Sequence, residues 1–424
     1  MQADINELQQ KAKQAKTASK KLAFIPTKIK NDAMLAIAQA LLDKEDLILH
    51  NNEKDYKEAA ASGMSAALLD RLMLDPKRLK GMSEDVKTVA ALPDPVGEII
   101  EERTLSNGLL LTKKRVPLGV IGAIYESRPN VTVDISALCL KAGNAVILRG
   151  GKECARSNLA LAGTVQEAAY KAGIPVGAVQ FIESPDRSLV DHMLKMKEFI
   201  DLVIPRGGAS LIKFVRDNAA MAVVAGGIGV CHLYVDSTAD IAKASAISYN
   251  AKVQRPTVCN ALDCVLVHRD TAANFLPAMA KELAKAEVEL HCDHRSLGIL
   301  KSIDGLNIKP AVDNDWGREY LALVMAVKVV DSLDEALEHI DRYGSGHSEA
   351  IAGEDKSSIE RFLNEVDAAC VYANASTRFT DGAQFGMGAE IGISTQKFHA
   401  RGPMALKEIT SYKWCITGSG QVRP

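Results

Sequence analysis

The segment Lys252-Val-Gln-Arg-Pro-Thr-Val-Cys259-Asn-Ala holds the residue best suited to covalent chemistry. Its cysteine follows a proline-containing turn and precedes a mostly apolar run, Ala261–Val267, that reads as a buried strand. A thiol on a short loop at a sheet edge is placed to attack an electrophile. Only the thiolate is a good nucleophile, and local positive charge lowers its pKa. Arg255 and Lys252 stand close by in sequence. The competing reading is a cysteine that fills core space, the commoner role of a free thiol.

Two glycine pairs carry basic neighbours: Arg149-Gly150-Gly151-Lys152 and Pro205-Arg206-Gly207-Gly208-Ala209-Ser210. Each falls where a strand-like run ends and a helix begins. Glycine lets a backbone approach phosphate closely, and a helix N-terminus favours negative charge. Either pair alone could be an ordinary tight turn; two on one sheet edge point to a nucleotide phosphate site. No Gly-x-Gly-x-x-Gly fingerprint follows a strand, and there is no Walker A pattern, which argues against a kinase. His291-Cys-Asp-His294 lacks a second half with ligand spacing, so it reads as a polar loop and no metal is expected.

The elements that must position these residues fall into three stretches. Residues 1 to about 95 show helical periodicity, with an amphipathic helix expected from Asn31, a good cap residue, to Leu42. Strand-like runs Ile99–Leu105 and Leu109–Val116 flank Asn107-Gly108, the strongest short hairpin signal. This hairpin belongs to neither neighbour and suggests an arm that pairs with another subunit. From Gly119 strands and helices alternate. Strands are predicted at Val120–Tyr125, Ala145–Leu148, Gln180–Ile182, Leu202–Ile204 and Met221–Val224. The helices between them are Val133–Lys141, Ala155–Lys171, Ser188–Met196 and Ala209–Asn218, the first two stopping on Gly143 and Gly173. This implies a parallel, doubly wound sheet with ligands at the carboxyl ends of its strands. A second alternating set follows Gly229. Its strands are His232–Val235, Ala261–Val267, Leu321–Val330, Ala350–Ala352 and Ala369–Ala373.

At 424 residues the chain is too long for one core. Hydrophobic residues make up 47% and charged residues 25%, as in an ordinary globular protein, and the net charge of -2 gives no reason to expect nucleic acid or an anionic membrane as partner. No signal pattern or bilayer-length apolar run is present. Eight cysteines without paired spacing read as reduced thiols in a cytoplasmic protein.

Longer blocks carry a resemblance. Arg115-Val-Pro-Leu-Gly-Val-Ile-Gly-Ala-Ile-Tyr-Glu-Ser-Arg-Pro-Asn130, Ala142-Gly-Asn-Ala-Val-Ile-Leu-Arg149, Ala225-Gly-Gly-Ile, the Cys259 loop, Trp316-Gly-Arg-Glu319-Tyr and Phe385-Gly-Met-Gly resemble the aldehyde dehydrogenase superfamily. Glu126-Ser-Arg-Pro-Asn-Val-Thr, Val253-Gln-Arg-Pro-Thr-Val-Cys-Asn-Ala and Gly388-Ala-Glu-Ile-Gly-Ile-Ser-Thr-Gln-Lys-Phe-His-Ala-Arg-Gly-Pro-Met look more closely like its γ-glutamyl phosphate reductase family. The resemblance covers nearly the whole chain. It implies an α/β fold of the aldehyde dehydrogenase type: two doubly wound α/β domains plus a small β oligomerisation arm. The expected boundaries are 1–103 and 117–228 for a cofactor-binding domain, 229–395 for a catalytic domain, and 104–116 with 396–424 for the arm. It makes Cys259 the nucleophile and Asn130 an oxyanion-hole amide. It sets Glu319 on the nicotinamide ribose, and Arg149 and Lys152 beside the adenosine ribose. NADPH/NADP is the implied cofactor and L-glutamyl 5-phosphate the implied substrate. Glutamate 5-semialdehyde is then the product, in proline biosynthesis. A homodimer or tetramer, and association with glutamate 5-kinase, are the implied assemblies.

One departure from the wider superfamily bears on chemistry. Hydrolytic members carry a glutamate two residues before a Gly-Gly pair, where it activates water. Here the block reads Val223-Val224-Ala225-Gly226-Gly227, and valine cannot accept a proton. General-base help is worth roughly 10²–10⁴ in rate, so a thioester on Cys259 would not be hydrolysed quickly by that route. Arg255 is a candidate for lowering the thiol pKa or holding phosphate, with a structural ion pair as its alternative. Arg378, Lys397 and Arg401 are candidates for the substrate's carboxylate or phosphate, with solvated surface roles as theirs. A hydrolytic dehydrogenase would carry glutamate in place of Val224. A non-enzymatic relative would be expected to lose Cys259 or Asn130.

Overall fold

The computed structural model describes residues 2–423. The chain forms two compact units: Met1–Gly226 with Gly386–Gly392 and Pro403–Pro424, and Gly227–Phe385 with Ile393–Gly402.

In the first unit five parallel strands stand in the order Val179–Phe181, Ala145–Gly150, Val120–Tyr125, Leu202–Arg206, Ala222–Val223. Every residue of Val120–Tyr125 and Ala145–Gly150 is buried, because helices cover both faces of a parallel sheet. Helices Asn130–Lys141, Ala155–Lys171, Ser188–Met193 and Ala209–Asn218 make the crossovers. Gly143 and Gly173 close the first two at positive φ, +78° and +100°, which glycine adopts without a Cβ penalty. Five helices precede the sheet. The first, Gln2–Leu22, sends Leu8, Ala12 and Ala15 into a core shared with Val120, Ile124 and Met193. The helix expected to open at Asn31 instead spans Thr27–Asp43, with Pro26 in the cap position. Asn31 lies inside it, where its Oδ1 accepts from the buried Lys141 Nζ at 2.5 Å. A good cap residue is equally good at satisfying a buried ammonium.

Strands Ile99–Thr104 and Leu110–Pro117 form the expected antiparallel hairpin. The C-terminal strand Thr410–Thr417 adds to the free side of Leu110–Pro117, giving a three-stranded antiparallel sheet. The turn is wider than the Asn-Gly pair suggests. Leu105 N donates to Leu109 O at 2.8 Å, and Gly108 takes φ +83°.

The second unit has seven parallel strands in the order Ile308–Pro310, Glu289–Cys292, Val324–Val330, Leu262–His268, Cys231–Val235, Ser348–Ala352, Cys370–Ala373. Two of these, Glu289–Cys292 and Ile308–Pro310, were not expected from sequence; they are short, and Ile308–Pro310 forms the sheet's edge with Glu289–Cys292 next to it. The strand expected from Leu321 begins only at Val324, because Leu321 holds φ +52°, outside the extended region. The helices Ile241–Val253 and Arg269–Ala284 pack on one face and Leu333–Tyr343 and Lys356–Glu365 on the other.

Candidate active site

In the second unit the helix Ile241–Val253 ends, residues 254–258 cross the sheet edge, and Cys259 sits just before the strand Leu262–His268. The thiol therefore stands at the amino end of its strand. All eight cysteines are free thiols, and six are buried. Burial pushes the Cys154 thiol up to about 12 and that of Cys292 to about 11. It drives Cys231 and Cys264 well above the usual range. These are inert thiols. Cys259 is half-buried and so reachable.

The loop is held by its backbone. Ala261 N donates to Val258 O at 3.1 Å. Thr377 Oγ1 donates to Asn260 O at 2.7 Å, and the buried Asn260 Nδ2 donates to Thr380 O at 2.9 Å. Cys231 Sγ–H donates to Cys259 O at 3.3 Å. Gly229 passes so close that a Cβ there would lie 1.7 Å from the Cys259 carbonyl oxygen. Glu319 Oε1 accepts from Gly229 N at 3.0 Å, fixing that strand entry.

Arg378 comes to this loop from 118 residues downstream. Its guanidinium donates to Gln254 Oε1 at 2.9 Å and to Asn260 Oδ1, the side chain next to the nucleophile. Burial and the neighbouring Arg255 charge lower its pKa, while Cys259 opposes them. A cavity of about 200 Å³ lies here, lined by Asn250, Gln254, Arg378, Phe379, Asp381 and Gln384. Arg255 is exposed. Lys252 is not available to the thiol as the sequence suggested: it is fully buried and paired with Asp263 at 3.3 Å. Burial raises Asp263 to about 6 against the pull of Lys252, and burial lowers Lys252. Lys397 and Arg401 meet elsewhere in the unit, both on Asp367, with Arg401 Nη2 at 2.7 Å from Asp367 Oδ1.

The first unit gathers its own candidates at one sheet edge. Tyr125, the last residue of the central strand, pairs in register with Gly150 on one side and Arg206 on the other. The segment leading to Asn130 and both glycine turns therefore leave the carboxyl edge together, as the doubly wound arrangement requires. Asn130 opens its helix, and its Nδ2 donates to Asp134 Oδ2 one turn on at 2.8 Å. Burial pushes Asp134 up to about 7; the Asn130 bond and Arg206 oppose this and Asp85 adds to it. Arg149 turns inward, donating to the carbonyls of Gly150 and Pro185 at 2.7 Å each. Lys152 is exposed. A Cβ on Gly150 would lie 2.0 Å from Asn158 Nδ2, and one on Gly207 would lie 2.5 Å from Glu126 Oε2. Gly208 caps the helix Ala209–Asn218 with open space about it, and Ser210 is exposed in its first turn. Sequence reasoning missed Glu126, whose Oε2 accepts from Gly208 N at 3.3 Å. It also missed Glu153, whose Oε1 accepts from the N–H of Ser127 at 2.5 Å while Ser127 holds φ +48°.

The profile of the aldehyde dehydrogenase family matches residues 1–299 and 313–415. A γ-glutamyl phosphate reductase of Dehalococcoides mccartyi strain CBDB1 is 60% identical over 423 residues, covering 100% of both chains. This chain belongs to the aldehyde dehydrogenase family, among its γ-glutamyl phosphate reductases. A γ-glutamyl phosphate reductase of Caldanaerobacter subterraneus subsp. tengcongensis is 56% identical over 417 residues, 98% of this chain and 100% of that one. The crystal structure of γ-glutamyl phosphate reductase from Thermotoga maritima superposes with a TM-score of 0.95 at 47% identity, covering 99% of this chain and 100% of that chain. The wider aldehyde dehydrogenase fold is shared at 17% identity and TM-score 0.70 with an acetylating aldehyde dehydrogenase of Geobacillus thermoglucosidasius.

Proposed function

We propose that this chain reduces L-glutamyl 5-phosphate to L-glutamate 5-semialdehyde and phosphate through a thioester on Cys259. The observation that carries the reading is the Cys259 loop. Six of the eight thiols are buried, and Cys259, one of the two half-buried ones, is pinned through Asn260 to Arg378, with Arg255 adding positive charge. Matches along essentially the full length to γ-glutamyl phosphate reductases, at 60% and 56% identity, support the same substrate. The thiolate forms a C–S bond at the acyl carbon as the C–O bond to phosphate breaks. A pyridine nucleotide is the family's cofactor, and we assign NADPH as the source of the hydride that reduces the thioester. Collapse of the hemithioacetal breaks the C–S bond and returns the thiolate. Buried Val224 provides no base for hydrolysis.

Arg378 and Asp381, lining one cavity, suit a zwitterionic head group: the guanidinium for the α-carboxylate, the carboxylate for the α-ammonium. Asn130 is the proposed oxyanion donor, its amide oriented by Asp134. For the cofactor, Lys152 beside Gly151 is the exposed cation. Gly208 and Ser210 form an open helix start beside the close-packed Gly207, where Glu126 offers an acceptor for hydroxyl groups. Arg149 supports the Gly150–Gly151 turn from within, and Glu319 is kept as a ribose contact. Lys397 and Arg401, held by Asp367, are weaker candidates for substrate than Arg378. We place the chain in the cytoplasm, consistent with eight free thiols. Among the described residues no helix is long and apolar enough to cross a membrane. We further propose a homodimer or tetramer assembled through the three-stranded sheet. Association with glutamate 5-kinase would bring the acyl phosphate to its consumer.

The test follows NADPH formation from glutamate 5-semialdehyde and NADP⁺, with and without inorganic phosphate. Turnover should require phosphate and vanish in Cys259→Ala. Arg378→Gln should raise KM for the semialdehyde at least about tenfold, as loss of a charge-assisted hydrogen bond does, with KM for NADP⁺ unchanged. Phosphate-independent turnover would mean that water resolves the thioester, and the hydrolytic reading would replace this one.

A further inference from the structure

The buried face behind the Cys259 loop carries a second cluster that the reaction does not use. His232 and Cys264 are register partners on the adjacent parallel strands Cys231–Val235 and Leu262–His268. Their side chains therefore lie side by side on one face of the sheet. His339, from the helix Leu333–Tyr343 that covers this face, descends onto them. All three residues are buried, His232 at 0%, Cys264 at 0% and His339 at 4% exposure. One ring nitrogen of each histidine and the Cys264 sulfur all lie within 4.8 Å of one another. Cys264 Sγ is 3.9 Å from His339 Nε2.

We propose that His232, Cys264 and His339 form a buried three-ligand site for a divalent cation of the zinc class, its fourth position left to a small non-protein ligand. Ligand chemistry selects the ion. A thiolate with two imidazoles suits zinc and not magnesium or calcium, which take oxygen. Geometry allows it: three atoms at the largest separation would lie about 2.8 Å from their common centre, within about 0.7 Å of ordinary Zn–N and Zn–S lengths. Neighbouring groups match it. Glu349, fully buried, accepts from His232 Nδ1 at 3.0 Å and from His232 N at 2.8 Å through the same oxygen. A carboxylate on the far ring nitrogen is the usual orienting partner of a metal-bound histidine, and it turns Nε2 toward the cluster. That buried Nε2 has no hydrogen-bond partner among the described residues. Charge balances as well: a dication, the Cys264 thiolate and the Glu349 carboxylate sum to zero, which a buried carboxylate requires. Trp316 and Tyr343 rings pack on His339 at 5.6 and 4.7 Å, closing the cluster off with aromatic surface. The thiol–imidazole contact alone is the rival account, and it leaves His232 Nε2 without a partner.

The full-length chain, carrying Cys259→Ser and Cys415→Ser to silence the two half-buried thiols, would be produced in medium supplemented with Co²⁺ or Zn²⁺, dialysed and assayed for bound metal. The expected result is one cobalt per chain with a thiolate-to-cobalt charge-transfer band, displaced by Zn²⁺. Cys264→Ser should lose the band. Glu349→Gln should keep the band while binding metal 10–100-fold more weakly, the usual effect of removing an orienting partner. Circular dichroism would confirm that each variant folds, and His232→Asn would serve if one does not. Absence of bound metal in the parent, or equal cobalt and an equal band in Cys264→Ser, would overturn the proposal.

Discussion

At the scale of single residues, position in sequence and position in space diverge most for charge. Lys252 and Arg255 both neighbour Cys259 in the chain, yet the helix's last turn carries Lys252 into the core against Asp263, while Arg255, past the helix end, is exposed. Arg378, a sequence candidate for the substrate only, reaches the loop from 118 residues beyond Asn260, a contact no local pattern marked. Cys259 itself was legible because a proline turn and a strand bracket it. Asp134 was not legible, since its contact with Asn130 depends on where the helix begins. Its raised pKa has a consequence for stability. A carboxyl near 7 in the fold and near 3.8 when unfolded binds its proton more tightly in the fold. That stabilisation is complete below about pH 4 and is lost as pH rises through 7, a change on the order of a few kcal/mol. The thermal midpoint of wild type should therefore fall between pH 5 and 8, and Asp134→Asn should flatten that slope. A variant with an unchanged slope would show that Asp134 is not the group responsible.

At the scale of elements, the alternation of apolar strands with capped helices was readable because parallel strands buried on both faces leave long hydrophobic runs. The short strands Glu289–Cys292 and Ile308–Pro310 escaped, since three or four mixed residues give no period. The sequence set the nucleophile at the amino end of its strand, since Cys259 precedes Ala261–Val267, but not the other strand entries that gather there. The loops Gly229–Val230, Val258–Ala261 and Ser345–His347 all enter strands at the amino edge of the seven-stranded sheet. Val230 N donates to Ser345 Oγ there at 2.9 Å. This edge works because backbone meets backbone. Gly229→Ala should push the Cys259 carbonyl aside, at a cost of about 1–3 kcal/mol in stability. Displacing the nucleophile by about 1 Å should lower kcat on the order of 10²-fold. Normal kcat in a folded Gly229→Ala protein would mean that the close approach does not set the thiol's position.

At the scale of the whole molecule, the three-stranded sheet leaves large apolar side chains uncovered. Tyr412, Trp414 and Ile416 alternate along its last strand at 51%, 41% and 60% exposure, on one face, with the Lys113 ammonium 3.9 Å above the Tyr412 ring. A second copy is the occupant proposed above, so Trp414→Glu with Ile416→Glu should give a smaller particle by light scattering than wild type. A wild type already monomeric would remove the arm reading. The same sheet has a consequence for synthesis. Leu110–Pro117 finds its second partner only when Thr410–Thr417 has been made, roughly 290 residues later. At bacterial-scale elongation of about 5–20 residues per second, the nascent chain presents an open strand edge for about 15–60 s. The ribosome thus leaves a timed opening at which a neighbouring nascent chain, or a chaperone, can reach that edge before the protein's own C-terminus does.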